Sequence, residues 1–342
     1  MRHKTFLWFI LPSLAAMTLF IALPLVSVVV QSMYIEHEQV LVVTENCGPF
    51  GCTQESAVDT EATAKLRAEQ PLGRFAGLST YFDRGHLASA EIAKAWTNRE
   101  SLGGFCAELY NLPFYKALAF TLTYTFLVTP LVIVLGLLIA LGVNRLTPAL
   151  KGPTIFVSLL PMIITPLIGS LILFWMIDAQ GVIGKSLQWI FDDPELSLKA
   201  SPPLTWITLI VYGIWSGAPF AFVVFYAGLQ TVNSDSLEAA MIDGATKWQQ
   251  IRYVVIPHLM PLAVFISLMQ LMDNFRVFEP VVGFSAQANA PSLSYIIFAD
   301  MRSDITRFNS AAATSVLTVI GVTILLAPVL VRTWRDFKGK AV

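Results

Sequence analysis

Gln270, Asp273, Asn274, Arg276 and Glu279, all able to bind charge or exchange hydrogen bonds, stand close together inside one largely apolar stretch, residues 258–282. Polar groups in apolar surroundings are costly, and their first reading is a path for a solute or an ion. Asp273, Arg276 and Glu279 follow one another at intervals of three, which sets all three on one charged ridge of a helix. Such a ridge serves one of two ends. Its charges neutralise one another and lock a bundle, or they contact and gate a solute. Glu279 also admits a place near the outer surface, where charge is cheap. Hydrogen-bonding groups at mid-depth suit polyhydroxylated solutes and aromatic faces suit sugar rings, so Trp175, Trp215, Phe220 and Tyr226 join Asn274 as candidates. Trp and Tyr also favour the ends of membrane spans, and Trp175, close to Asp178, reads as such an anchor.

Bond-making chemistry finds no such support. Gly181-Val-Ile-Gly-Lys-Ser186 resembles a phosphate loop, but that motif needs a glycine five residues before Gly184, where Ala179 stands. Gly181 and Gly184 therefore read as turn residues. The 4 histidines include no pair at metal-binding spacing, and His258 beside Pro257 is expected at a membrane surface. No nucleophile–base arrangement stands out, so neither a catalytic residue nor a metal is expected. Cys47, Cys52 and Cys106 lack the second Cys pair or the His of a zinc site. In an oxidising compartment Cys47 and Cys52 are near enough in sequence to pair, leaving Cys106 odd; three free thiols are the alternative.

The elements that carry these residues follow from composition. Of 342 residues, 55% are hydrophobic and 13% charged, with a mean hydropathy of +0.65. Soluble domains carry about 25% charged residues. Half that supply fits a polytopic membrane protein, because soluble cores stop growing beyond about 250–300 residues. A net charge of −1 gives no reason to expect nucleic acid as a partner. A membrane helix needs about 20 largely apolar residues. Six stretches qualify: residues 6–30 between Lys4 and Glu36; the run between Lys116 and Arg145; 153–177; the run between Lys199 and Asp235; 258–282; and the run between Arg307 and Arg332. The first, despite its basic start, exceeds the 7–15 residues of a signal core and reads as a retained helix. Arg2, Lys4, Arg145, Lys151, Lys247, Arg252, Arg332, Arg335, Lys338 and Lys340 fall on one side, although Arg302 and Arg307 fall on the other. That bias predicts cytoplasmic N and C termini, with the acidic segment 31–115 as a periplasmic insertion between the first helix (1–30) and the core (116–342).

Between the fourth and fifth spans, residues 233–257 read as helix, turn, helix. Asp235 with Glu238, and Thr246 with Gln249, have capping-box spacing. Gly244 stands where a helix would end in a left-handed residue. Leu237, Ala240 and Met241 make one apolar stripe, and Trp248, Ile251 and Val255 another. Pro257 is expected to stop the second helix at the membrane. Such an element lies on lipid, packs on its own bundle or docks on a partner. Asp235, Glu238 and Asp243 oppose lipid, and the small Ala239, Ala240 and Gly244 suit a close partner backbone.

Glu238-Ala239-Ala240, then Gly244, then Val254-Val255-Ile256-Pro257 resembles the EAA loop of ABC importer permeases, with Val for Ile and Ile for Leu as the two departures. Ala227-Gly228-Leu229-Gln230, Phe275-Arg-Val-Phe278 and Asn309-Ser-Ala-Ala-Ala-Thr-Ser-Val316 are similar to the carbohydrate subfamily, in particular the larger subunit of maltose/glycerol-3-phosphate-type permease pairs. That subfamily follows the fifth span with Gly-Gly-Pro, where this chain has Gly283-Phe-Ser-Ala-Gln-Ala-Asn-Ala-Pro291, so the outer gate and solute class are open to difference. The resemblance implies an all-α, six-span type I importer domain in the bacterial inner membrane. It implies a second permease subunit (a heterodimer), two ABC ATPase subunits holding ATP and Mg, and a periplasmic solute-binding protein. Glu238, Ala239, Ala240, Met241, Gly244 and Pro257 would form the coupling helix and its boundary, and the cargo would be a sugar or polyol. An amino-acid or polyamine importer is the alternative within the class. An ion-coupled secondary transporter is disfavoured because the halves show no internal repeat.

Overall fold

The computed structural model describes residues 3–35, 37, 40–48, 51–99, 101–199, 201–303 and 307–339. Arg2, Glu36 and Lys340, used above to bound spans or orient the chain, lie outside them. The chain divides into two compact units: Met1–Tyr115 with Ile296–Val319, and Lys116–Tyr295 with Ile320–Val342.

Among the described residues, five helices are long and apolar enough to cross a membrane: Trp8–Gln31, Pro113–Asn144, Pro202–Leu229, Lys247–Phe275 and Phe308–Arg332. The expected third span is not one helix. Pro148–Ile163 and Pro166–Met176 meet at a bend of 96°. Ile164 and Thr165 are extended there, because the ring of Pro166 excludes helical backbone from the residue before it.

Two prolines are instead absorbed. In both the first and fifth spans a π-helical turn, Thr18–Ala22 and Ile251–Val255, precedes the proline by two residues. The amides of Leu23 and Ile256 reach back five residues, to the carbonyls of Thr18 and Ile251. This wider turn makes room where Pro24 and Pro257 have no amide to offer. Pro257 therefore does not stop the helix; it sits in the first turn after the π segment of a continuous Lys247–Phe275.

The fifth span does end early. Its helix closes at Phe275, and a separate short helix runs from Glu279 to Gly283. Continuing the helix would drive the Pro280 ring into the Arg276 carbonyl. The single charged ridge expected of Asp273, Arg276 and Glu279 does not form for that reason.

The unit built on Lys116–Tyr295 holds its core on Phe120, Leu209, Phe222, Phe225, Leu259 and Ile266, each almost fully buried. Small residues let its helices approach. A Cβ on Gly136 would stand 2.5 Å from the Ala221 Cβ, and one on Gly213 would strike the Tyr124 hydroxyl, the close packing on which helix association in lipid depends. The stretch 283–291, where the resemblance departs from its pattern, turns through a left-handed Ser285 (φ 51°) and is held by Trp206, whose indole donates to the Asn289 carbonyl at 3.0 Å.

The 31–115 segment adds short helices and two small antiparallel sheets to the helical chain, Tyr34–Ile35 with Arg74–Phe75 and Leu41–Gly48 with Gly51–Val58. The second sheet sets Cys47 opposite Cys52; the side chains of both lie outside the described residues. Cys106 is a free, exposed thiol. In the same unit the buried His86 imidazole meets the Ser310 carbonyl through Nε2 at 3.1 Å, and Ser310 Oγ donates to Asp300 Oδ2 at 2.7 Å.

Candidate functional site

The two helix breaks open a cavity of about 660 Å³ in the Lys116–Tyr295 unit, inside the ~300–1,000 Å³ range of small-molecule sites. Ile164 and Pro166 at the first break form one wall, and Arg276, Glu279 and Pro280 at the second form another. The Pro202–Leu229 helix contributes Tyr212, Ser216 and Phe220, and the fifth span contributes Gln270, Asp273 and Asn274.

The walls are tied to one another. Tyr212 donates from its hydroxyl to the Pro166 carbonyl at 2.8 Å. Ser170 donates to the Glu279 carbonyl at 3.3 Å, and Gly283 presses on Ser170 so closely that any Cβ would overlap its hydroxyl. Asn274 donates from Nδ2 to Thr129 Oγ1 at 3.0 Å and to Gln270 Oε1 at 3.4 Å. Both amides are almost buried, Gln270 at 7% and Asn274 at 8% exposure. They are thus positioned by the bundle while still facing the cavity. Arg276 donates to Asp273 Oδ1 at 2.8 Å, an exposed pair.

Of the candidates named from sequence, Gln270, Asp273, Asn274, Arg276, Glu279 and Phe220 meet at this cavity. Trp215 and Tyr226 are not among its lining residues. Trp215 stands beside the Tyr212 ring (centroids 6.0 Å apart) and Tyr226 packs on Phe222. Trp175 is exposed near the end of its helix, beside Phe174. Tyr124, Tyr212 and Ser216 line the cavity and were missed. Tyr212, Ser216 and Phe220 recur every fourth residue, and that one-face spacing was the available signal. Tyr124 carries no local signal, since its place depends on which helices pack together.

A second feature lies at the start of the fifth span. The helix Ser234–Ile242 is capped by Asn233, whose Oδ1 accepts the Asp235 amide at 2.8 Å. The expected Asp235–Glu238 box gives way to this cap two residues earlier. At the other end Gly244 is left-handed (φ 75°). Its amide donates to the Met241 carbonyl at 3.0 Å, and the Ala245 amide donates to the Ala240 carbonyl at 2.9 Å, the paired bonds of a Schellman ending. Thr246 and Gln249 form the expected capping box. Leu237 packs against the core, while Glu238, Ala239 and Gly244 are exposed. Met241, Ile242, Trp248 and Tyr253 are exposed as well, Ile242 at 87%. Ile242 was not singled out from sequence, although it follows the Leu237–Met241 stripe directly.

The decoy phosphate loop has a plain structural use. Gly181 caps the helix Val182–Phe191, and Gly184 is buried against the Asp178 carbonyl with no room for a Cβ. Nearby, Lys199 bridges to Asp178 at 2.8 Å and lies over the Phe174 ring.

Residues 101–335, which contain both the cavity and the elbow at Gly244, match the family described as "Binding-protein-dependent transport system inner membrane component". Among similar proteins, the lactose transport system permease protein LacF of Rhizobium radiobacter is 24% identical over 276 residues, 75% of this chain and 85% of its own length. The galactooligosaccharides transport system permease protein GanP of Bacillus subtilis is 25% identical over 279 residues, 78% of this chain and 66% of its own. The inner membrane ABC transporter permease protein YcjO of Escherichia coli is 31% identical over 174 residues, 49% and 58% of the two chains. In fold, the chain is similar to a solved bacterial ABC transporter involved in import of the acidic polysaccharide alginate, with a TM-score of 0.58 and 21% identity over 81% of this chain and 97% of that one. The chain belongs to the family of inner-membrane components of binding-protein-dependent transport systems.

Proposed function

We propose that this protein is the permease subunit of an ATP-driven importer that passes a sugar or polyol through the cavity walled by Tyr212, Asn274 and Glu279. One observation carries the reading. The 29-residue helix Lys247–Phe275 adjoins the exposed elbow at one end and lines the cavity with Gln270, Asp273 and Asn274 at the other. At about 1.5 Å per residue it spans about 43 Å, so the elbow and the cavity are joined by one continuous helix.

The elbow suits a protein partner. Met241, Ile242 and Trp248 present apolar surface beside Glu238 and Asp243, and exposed apolar surface of this kind marks a docking site. Separate ATPase subunits would seat there, hold ATP and Mg, and perform the hydrolysis, with Glu238, Ala239, Ala240, Met241 and Gly244 at the contact. This chain would catalyse no reaction itself. A second, non-identical permease subunit would complete the path, and a periplasmic solute-binding protein would deliver the cargo. Both termini and the elbow would face the cytoplasm. Carbohydrate as cargo is supported by the lactose and galactooligosaccharide permeases to which the chain is similar. The neutral hydrogen-bonding groups of the cavity, two tyrosines, a serine and two amides, support it as well.

A photo-crosslinking amino acid at position 242 tests the docking. Capture of an ATPase subunit in native membranes is expected. Labelling of the same position by an impermeant reagent from outside intact cells would contradict it.

A further inference from the structure

We propose that Glu279 sets the charge class of the cargo: neutral or ammonium-bearing saccharides pass, and uronates are held back. The inference rests on the cavity being the solute path. Three ionisable side chains other than tyrosine line it, namely Asp273, Arg276 and Glu279. Arg276 is engaged with Asp273 at 2.8 Å. Among the described residues, no Lys, Arg or His forms an ion pair with Glu279. One carboxylate is thus unbalanced: the Asp273–Arg276 pair is neutral in sum, and the remaining lining groups carry no charge.

Its position is fixed by the backbone. Glu279 opens a short helix whose Val281 is fully buried. The Glu279 carbonyl accepts from Ser170, and Gly283 is pressed against that same serine. Tyr124 and Tyr212 line the same cavity as Glu279. The three charges sum to −1, and a cleft of one net sign raises the local concentration of the opposite charge, by about tenfold, and depletes the like charge. The acidic polysaccharide carried by the structural neighbour is therefore not the kind of cargo this cavity favours.

The test reads the cavity potential directly. In the assembled importer, with the native cysteines replaced by serine, Ser216→Cys is labelled with methanethiosulfonate reagents of similar size that are neutral, cationic or anionic. With each rate divided by that reagent's rate toward a small thiol in free solution, the cationic reagent should react about tenfold faster than the anionic one. Glu279→Gln should bring the ratio close to unity, and Glu279→Asp, which keeps the charge, should preserve it. If the neutral reagent labels Ser216→Cys and blocks uptake, but the ratio ignores Glu279, the charge inference is overturned and the path stands. If the neutral reagent never reaches the site, or uptake survives its attachment, the path itself is wrong and the inference falls with it.

Discussion

Asn274 faces the cavity yet spends its amide on Thr129 and Gln270, so packing and the proposed solute contact are to be separated by measurement. Interhelical hydrogen bonds in membranes are worth about 0.6 kcal/mol on average and up to ~1.7. Asn274→Ala should therefore lower stability by about that range and reduce uptake well beyond what the lost stability explains. Unchanged uptake would remove it from the path. Asp178 makes a different prediction because it lies outside the spans. A hydrogen bond from Lys199, then the Gln180 amide and the Lys199 charge, hold its carboxyl below the ordinary value of 3.8. A carboxyl lowered on folding contributes stability that is full above its unfolded value and is lost as pH falls through the folded one. The melting temperature of Asp178→Asn should lie slightly below the parent's at pH 7, since the pair is solvent-accessible and weak, and the gap should close on acidification below 3.8. A gap constant with pH would contradict the pairing.

In the proposed mechanism coupling turns on the elbow, with the left-handed Gly244 as its pivot. Any L side chain in the left-handed region costs about 1–2 kcal/mol, and the site is otherwise open space. Gly244→Asp should insert into the membrane normally but lose solute-stimulated ATP hydrolysis in the assembled importer; normal stimulation would refute the coupling role. This element was legible because its signals are local. Gly244 ends a helix and Thr246–Gln249 opens the next within a few residues of sequence. The first cap lies two positions before the Asp235–Glu238 spacing, because Asn233 accepts the Asp235 amide and the helix already starts at Ser234. The broken spans were not legible from hydropathy, which averages across Pro166 and Pro280 as if the helix continued. The residues did carry the warning. Ile164-Thr165-Pro166 pairs two β-branched residues with the proline they precede, and Glu279-Pro280 puts a ring four residues after Arg276. Breaks of this kind are where irregular backbone is tolerated in a membrane, namely against a cavity or within protein.

At the scale of the molecule, the number of apolar stretches and the family were readable from spacing, because both depend on composition and on one contiguous motif. The cavity was half readable. Its charged wall lies in one stretch of sequence, whereas Tyr124, Ile164 and Tyr212 are brought to it by packing across three helices and had no common signature. In the proposed mechanism the helix Lys247–Phe275 joins the elbow, where ATPase subunits would dock, to the cavity through which solute would pass. Proteoliposomes provide the direct test. Uptake of radiolabelled sugar should require this chain together with its second permease subunit, ATPase subunits, solute-binding protein and ATP. Accumulation by this chain alone, driven by an imposed ion gradient without ATP, would contradict the account.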